Sequence, residues 1–206
     1  MLMMDFSELR EAYREAEKAI RSVELVAKKV PVPALNEMRY AGYHAIALNL
    51  AESAAVREDE YRKVVAHCRR AYFDAHSMLL LLLYAEVKNI RDALGEYLHF
   101  FPEIVGDAYS AKKEAVVNAR KFIENLHSLK QDRQRWAARD EMCAACRPHV
   151  EACKAYIDTY EAVREELSSR VDEAKRNRRS RIVTTLLSLL SILVAILIAI
   201  AAKACS

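Results

Sequence analysis

Glycine and proline are almost missing from this chain. Three glycines (Gly42, Gly95, Gly106) and four prolines (Pro31, Pro33, Pro102, Pro148) are all that punctuate 206 residues. So few turn formers cannot build the many tight reversals of a β-sandwich or barrel. Ala, Leu, Glu, Lys and Arg, which dominate instead, lose little side-chain freedom in a helix. The expected fold class is all-α: a cytosolic antiparallel helical bundle with a long final helix running into a single C-terminal transmembrane helix. A Gly-rich phosphate loop, a nucleophile elbow and a His-Glu-x-x-His sequence are all absent, which removes the chemistries those motifs position. Five cysteines, an odd number, do not suggest a disulfide framework in a body facing the cytosol. No cofactor is expected.

Charge is also missing from one place. Residues 182–202 contain no charged residue, no Pro and no Gly, and a helix of that length rises ~31 Å, about the thickness of a bilayer's hydrocarbon core. Before it stand Lys175, Arg176, Arg178, Arg179 and Arg181, and after it only Lys203 is charged. Arginines of this kind favour water and anionic headgroups, and their asymmetry places the N-terminal body in the cytoplasm. The sequence thus predicts a tail-anchored, single-pass membrane protein with the lipid bilayer as a partner. Residues 1–130 would form the helical bundle, 131–181 a long heptad helix with a basic juxtamembrane end, 182–202 the transmembrane helix and 203–206 a short tail.

The whole-chain charge of +3 hides an acidic body: residues 1–174 hold 26 Lys and Arg against 29 Asp and Glu. A nucleic-acid partner is not expected from that balance. Apolar residues recur by threes and fours at Phe6, Leu9, Tyr13, Ala16, Ile20, Val23, Ala27 and Val30, one stripe of a first helix over 5–30, with Asp5 and Glu8 able to cap it. A second helix, about 34–57, is Ala-rich on several faces and reads as deeply packed. The third follows the acidic Glu58-Asp59-Glu60, carries an all-apolar run from Met78 to Ala85, and fades near Gly95. Phe100-Phe101-Pro102 reads as a loop, and a fourth helix spans 109–129. The last long helix starts near Trp136. Its seam (Cys143, Cys146, Val150, Cys153, Ile157, Tyr160, Leu167, Val171, Ala174) can pair with another copy, with Arg164 setting register, or fold back on its own bundle. Pro148 is expected to kink it. Within 182–202, the small and hydroxyl residues Thr184, Ser188, Ser191, Ala195, Ala199 and Ala202 share one face suited to close approach of neighbouring helices. A homo-oligomer is expected, and the bundle offers a surface for a protein partner.

Two constellations could carry chemistry. Cys143, Cys146, His149 and Cys153 are ligand types that zinc prefers, but on one helix they fall within an arc of about 120°, whereas a tetrahedral site needs ligands converging from more than one element. They read as a core seam, with no metal. The second is Arg39-x4-His44 and Arg62-x4-His67, with Arg70-x5-His76 beside them. This spacing resembles the RNase motif of the HEPN helical-bundle family, over residues 5–130 at most. Tyr40, Lys63 and Ala71 follow the arginines where that family favours Asn, Asp or His. The resemblance implies a metal-independent RNA-cleaving site in which Arg39, His44, Arg62 and His67 act, His moving protons and Arg stabilising phosphate charge. The main reading is a non-enzymatic, oligomerising membrane effector, signalling or scaffold component, one form of which would permeabilise a membrane in prokaryotic defence. A membrane-tethered HEPN-like RNase is the alternative.

Overall fold

A computed structural model describes the backbone of residues 6–131 and 139–204, and the side chains of these except at 127–144 and 195–204. Six helices account for the described chain: α1 (Phe6–Ala27), α2 (Val32–Leu50), α3 (Ala54–Leu94), α4 (Phe100–Val105), α5 (Ala108–Gln131) and α6 (Arg139–Ala204), with a 3-10 turn, Gly95–His99, before α4. The all-α bundle is as the composition dictates.

The spine is α3, 41 residues long and therefore about 60 Å. Ser53 starts it, its Oγ accepting the Val56 N–H at 3.3 Å. Such a cap satisfies one orphan donor of the first turn. That cap, rather than the acidic Glu58-Asp59-Glu60, sets the start of α3. Helices α1, α2, α5 and α6 all pack against it; α2 meets its first half through the Glu37–His67 and His44–Glu60 contacts, and α6 meets it from His76 onward, where Cys146 reaches the His76 carbonyl. Pairings fix the directions: Glu37 with His67 and His44 with Glu60 make α2 antiparallel to α3, while the rings Tyr109–Tyr156 and Phe122–His149 make α5 antiparallel to α6. Both pairs are antiparallel, as in an up-and-down bundle.

The connections differ from the sequence reading in physically instructive ways. α1 stops at Ala27 because Lys28 turns left-handed (φ +50°) while its N–H still reaches Glu24 O. Pro31 precedes α2 and Pro33 lies in its first turn, where a missing N–H costs nothing. The prolines therefore open the second helix instead of closing the first. Phe100–Val105 is a short helix, not a loop, because Phe101 is driven inward. Fully buried, its ring meets Tyr109, Tyr156 and Tyr160 edge-on at 5.4, 5.4 and 6.1 Å. Gly106, at φ +70°, then reverses the chain.

The main core joins Ala16, Ala19, Ile20 and Val23 of α1 to Ala71, Phe73, Ala75, Leu79, Leu80, Leu83, Val87 and Ile90 of α3, and to residues of α5 and α6. The apolar run from Met78 is thus interior, as its length implied. The α6 seam folds back on this bundle: Cys146, Val150, Cys153 and Leu167 are buried, Ile157 and Tyr160 half-buried, and Tyr156, off the expected seam, is fully buried. Arg164 points outward, paired with Glu161 at 3.3 Å. α6 is a single helix through Pro148.

Among the described residues no helix is long and apolar enough to cross a membrane. This corrects the expectations of a transmembrane helix over 182–202, of a tail anchor and of a single-pass membrane location. The basic cluster ahead of that segment is partly engaged within the molecule. Arg178 pairs with Glu96 at 2.6 Å and Lys175 Nζ lies 5.8 Å from the Tyr97 ring centre.

Candidate functional site

Where α2 crosses the first half of α3, four polar side chains interlock. Glu37 and His44 are seven apart on α2, and Glu60 and His67 are seven apart on α3. Seven residues bring a helix back to nearly the same face, and the two helices run in opposite directions, so each glutamate meets the other helix's histidine. His44 Nδ1 lies 2.7 Å from Glu60 Oε2, and His67 Nδ1 lies 2.7 Å from Glu37 Oε2. In between, the two imidazoles stack, ring centres 5.1 Å apart and planes 16° from parallel. The four side chains keep only 12–21% of their surface exposed.

Two cations close the ends of this clasp. Arg70 Nε donates to Glu37 Oε2 at 2.7 Å, and its guanidinium also lies against His67. Lys63 Nζ bridges Glu60 Oε1 at 2.7 Å and Asp59 at 2.6 Å. Burial works to raise the Glu37 carboxyl pKa, but the bonds from Arg70 and His67 outweigh it and hold it below the usual carboxylate range. Glu60 is likewise lowered, first by Lys63 and then by His44. Burial pushes His67 below its ordinary value, against the opposing pull of Glu37. An imidazole that donates Nδ1–H to a carboxylate presents Nε2 as a base, the orientation general acid–base catalysis uses. The His44–Glu60 contact allows it, whereas at His67 the Arg70 guanidinium, which can only donate, shares Nδ1 with Glu37.

The arginines of the two R-x4-H pairs do not join. Arg39 lies over the neighbouring Tyr40 ring at 5.4 Å, and Arg62 bonds Glu58 on the surface at 3.0 Å. Tyr40 lies tilted over His67 at 5.5 Å, and Tyr43, on the outer side of α2, meets the edge of the His44 ring at 5.3 Å. The structure therefore joins the histidines of two motifs, supplies Arg70 from the third, and adds Glu37 and Glu60. The missed signal was in plain view: Glu-x6-His occurs once on each helix.

His76 stands apart, facing α6. Its Nδ1 is buried with no partner, and its ring meets Tyr72 edge-on at 4.2 Å. Burial, then Arg147 and Lys154, depresses its pKa to about 4. Cys146 donates to the His76 carbonyl at 3.7 Å, and burial raises the thiols of Cys146 and Cys153 to about 12 and about 11. Such protonated thiols are unreactive. His149 packs on Phe122 instead, and Cys143 lies outside the described side chains. Among the described residues no three His, Cys, Asp or Glu are grouped to hold a metal ion.

No family model matches this chain, and no curated protein or solved structure matches it either. The geometry must speak for itself.

A second surface feature lies on the far side of α2. Although its Ala content suggested deep packing, only Ala34, Ala41 and Leu48 are buried. Val32, Leu35, Tyr43, Ile46 and Leu50 are 41–76% exposed, and their spacing puts them on one stripe facing away from α3. In α6, the hydroxyls of Thr184, Ser188 and Ser191 donate to carbonyls of their own helix at 2.8–2.9 Å, so toward a neighbour they offer acceptor lone pairs. Ala195, Ala199 and Ala202 lie outside the described side chains, as do Asp5 and Trp136.

Proposed function

We propose that this chain is a non-catalytic docking module that works by association through the outer face of α2. The observation that carries this reading is the row Val32, Leu35, Tyr43, Ile46 and Leu50, left open to solvent on a helix whose opposite side is fully engaged with α3. Contiguous exposed apolar surface on this scale marks interaction sites, and a helical stripe at i, i+3, i+7 spacing is read by a complementary helix or groove. The apolar end of α6 from Ile182 adds surface of the same character. The test is a photo-crosslinking side chain at position 43 in cells producing the chain, with the adduct identified by mass spectrometry. A discrete adduct lost on Ile46→Glu is expected. Absence of any adduct dependent on Ile46 defeats the reading.

The clasp favours a second reading, metal-independent phosphodiester cleavage of the kind the HEPN resemblance implies. Its support is the meeting of His44 and His67, each oriented by a carboxylate, with Arg70 adjacent. Under it, the purified chain cleaves single-stranded RNA in EDTA, and His44→Ala or His67→Ala lowers the rate at least a hundredfold, the usual contribution of a general acid or base. Equal rates in wild type and both variants would dispose of it.

A further inference from the structure

Helices α1 and α2 both pack against α3 but touch each other only sparingly, and a groove runs between them. The sequence of α2 explains the gap. Ala41, buried beside Val64 and Cys68, turns toward α3. At about 100° per residue, Glu37 and His44 then fall on one flank, with the clasp, and Gly42 and Ala45 fall on the other, toward α1. Neither is large enough to reach across. A Cβ built on Gly42 meets no atom within 4 Å, although glycine in a helix interior costs stability relative to alanine. The groove encloses about 610 Å³, within the roughly 300–1,000 Å³ of small-molecule sites.

Its two sides differ in chemistry. Ala41, Gly42, Ala45 and Val64 offer no side-chain donor or acceptor, and every polar side chain that lines the groove stands on α1. Two of these are cations, Arg10 and Arg14, and no acidic side chain lines it. Other exposed arginines are paired: Arg21 with Glu17, Arg62 with Glu58 and Arg69 with Glu8. Among the described residues, Arg10 and Arg14 meet no carboxylate, and like charges at this i, i+4 spacing repel. We infer that the groove binds a single-chain amphipathic anion, a fatty-acid-like carboxylate, with its alkyl chain against Leu9, Ala45 and Val64 and its head on Arg10 and Arg14. A guanidinium meets a carboxylate through two parallel bonds, and the chain gains by leaving water for an apolar wall. A nucleotide fits less well, because its base edges would find no partner on the α2 side and a polar group buried without one is costly.

The α2 residues of the groove are not those of the outer stripe, so this assignment and the docking reading stand or fall separately. It is tested on the full chain by isothermal titration calorimetry with dodecanoate, with far-ultraviolet circular dichroism as the control for folding. Dodecanoate is expected to bind at a single site at micromolar concentration, and dodecyltrimethylammonium, with the same chain and the opposite charge, at least about tenfold more weakly. Arg10→Gln combined with Arg14→Gln removes the charge, and Gly42→Leu fills the groove while favouring the helix. Each should weaken dodecanoate binding at least about tenfold without loss of helicity. Failure of dodecanoate to bind overturns the proposal. So does binding left unchanged in either folded variant, as binding at the apolar end of α6 would be, and so does equal binding of the cationic probe. Tighter binding of adenosine monophosphate than of dodecanoate, lost in the same variants, would overturn the alkyl assignment as well.

Discussion

His76 makes the folded protein sensitive to acid, and the size of the effect follows from its surroundings. The ring is held between α3 and α6, with Nδ1 unpartnered and with Arg147 and Lys154 nearby, and its pKa falls from 6.5 to about 4. A depressed histidine favours the folded state above the unfolded pKa, and that contribution disappears as pH falls from about 6.5 toward 4. Linkage gives a loss of about 2 kcal/mol between pH 7.5 and pH 5 from this group. For a chain of this size that lowers the melting temperature by roughly 4–8 °C. His67 and His149, also depressed by burial, add in the same direction. The comparison that isolates His76 is His76→Phe, which keeps a ring against Tyr72 but cannot take up a proton. Thermal melts of wild type and variant at pH 7.5 and pH 5 should show the variant gaining about 2 kcal/mol on wild type as the solution is acidified. At pH 7.5 alone it should be no less stable, because it removes a buried nitrogen without a partner. An equal difference between the two proteins at both pH values would refute the assignment of this proton-linked loss to His76.

Two further changes probe the frame. Phe101→Ala empties the pocket formed with Tyr109, Tyr156 and Tyr160 and should cost about 3–5 kcal/mol in urea denaturation; a cost under about 1 kcal/mol would mean that α4 does not lock α5 to α6. Lys28→Gly relieves a left-handed residue at the end of α1 and should stabilise by up to about 1 kcal/mol in the same assay. A loss of stability would show that the Lys28 side chain matters more than its backbone.

Helix content and the main apolar stripes could be read from the residues because both depend on local spacing. Ala16, Ile20 and Val23 are buried where the stripe of α1 predicts them, and Leu79 and Leu80 where the apolar run of α3 does. Yet Phe6, Tyr13 and Val30, members of that first stripe, are about half exposed, since periodicity defines a face but not how far a neighbour extends along it. For the same reason α2 was misplaced. Alanine suits a packed face and an open one equally, so only the exposure of Ile46 and Leu50 distinguishes them. The clasp was half visible. Arg–His spacing drew attention to His44 and His67, but their true partners lie on the opposite helix, at separations of 16 and 30 residues, and no spacing within one helix encodes such a pairing.

One mechanical property follows from the continuity of α6. The helix is gripped by the bundle through Leu167, is half-buried at Ala174, is tied to Glu96 by Arg178, and then runs on with its described side chains exposed to Val194. The 16 positions from Arg178 to Val194 extend ~24 Å beyond that last tie. A tilt of about 5° where the helix is held would swing Val194 by about 2 Å, given that rise per residue. Anything that repacks Tyr156 and Phe101 would therefore be reported, enlarged, at a point far from the core. In this bundle α6 is both a structural member and a lever arm.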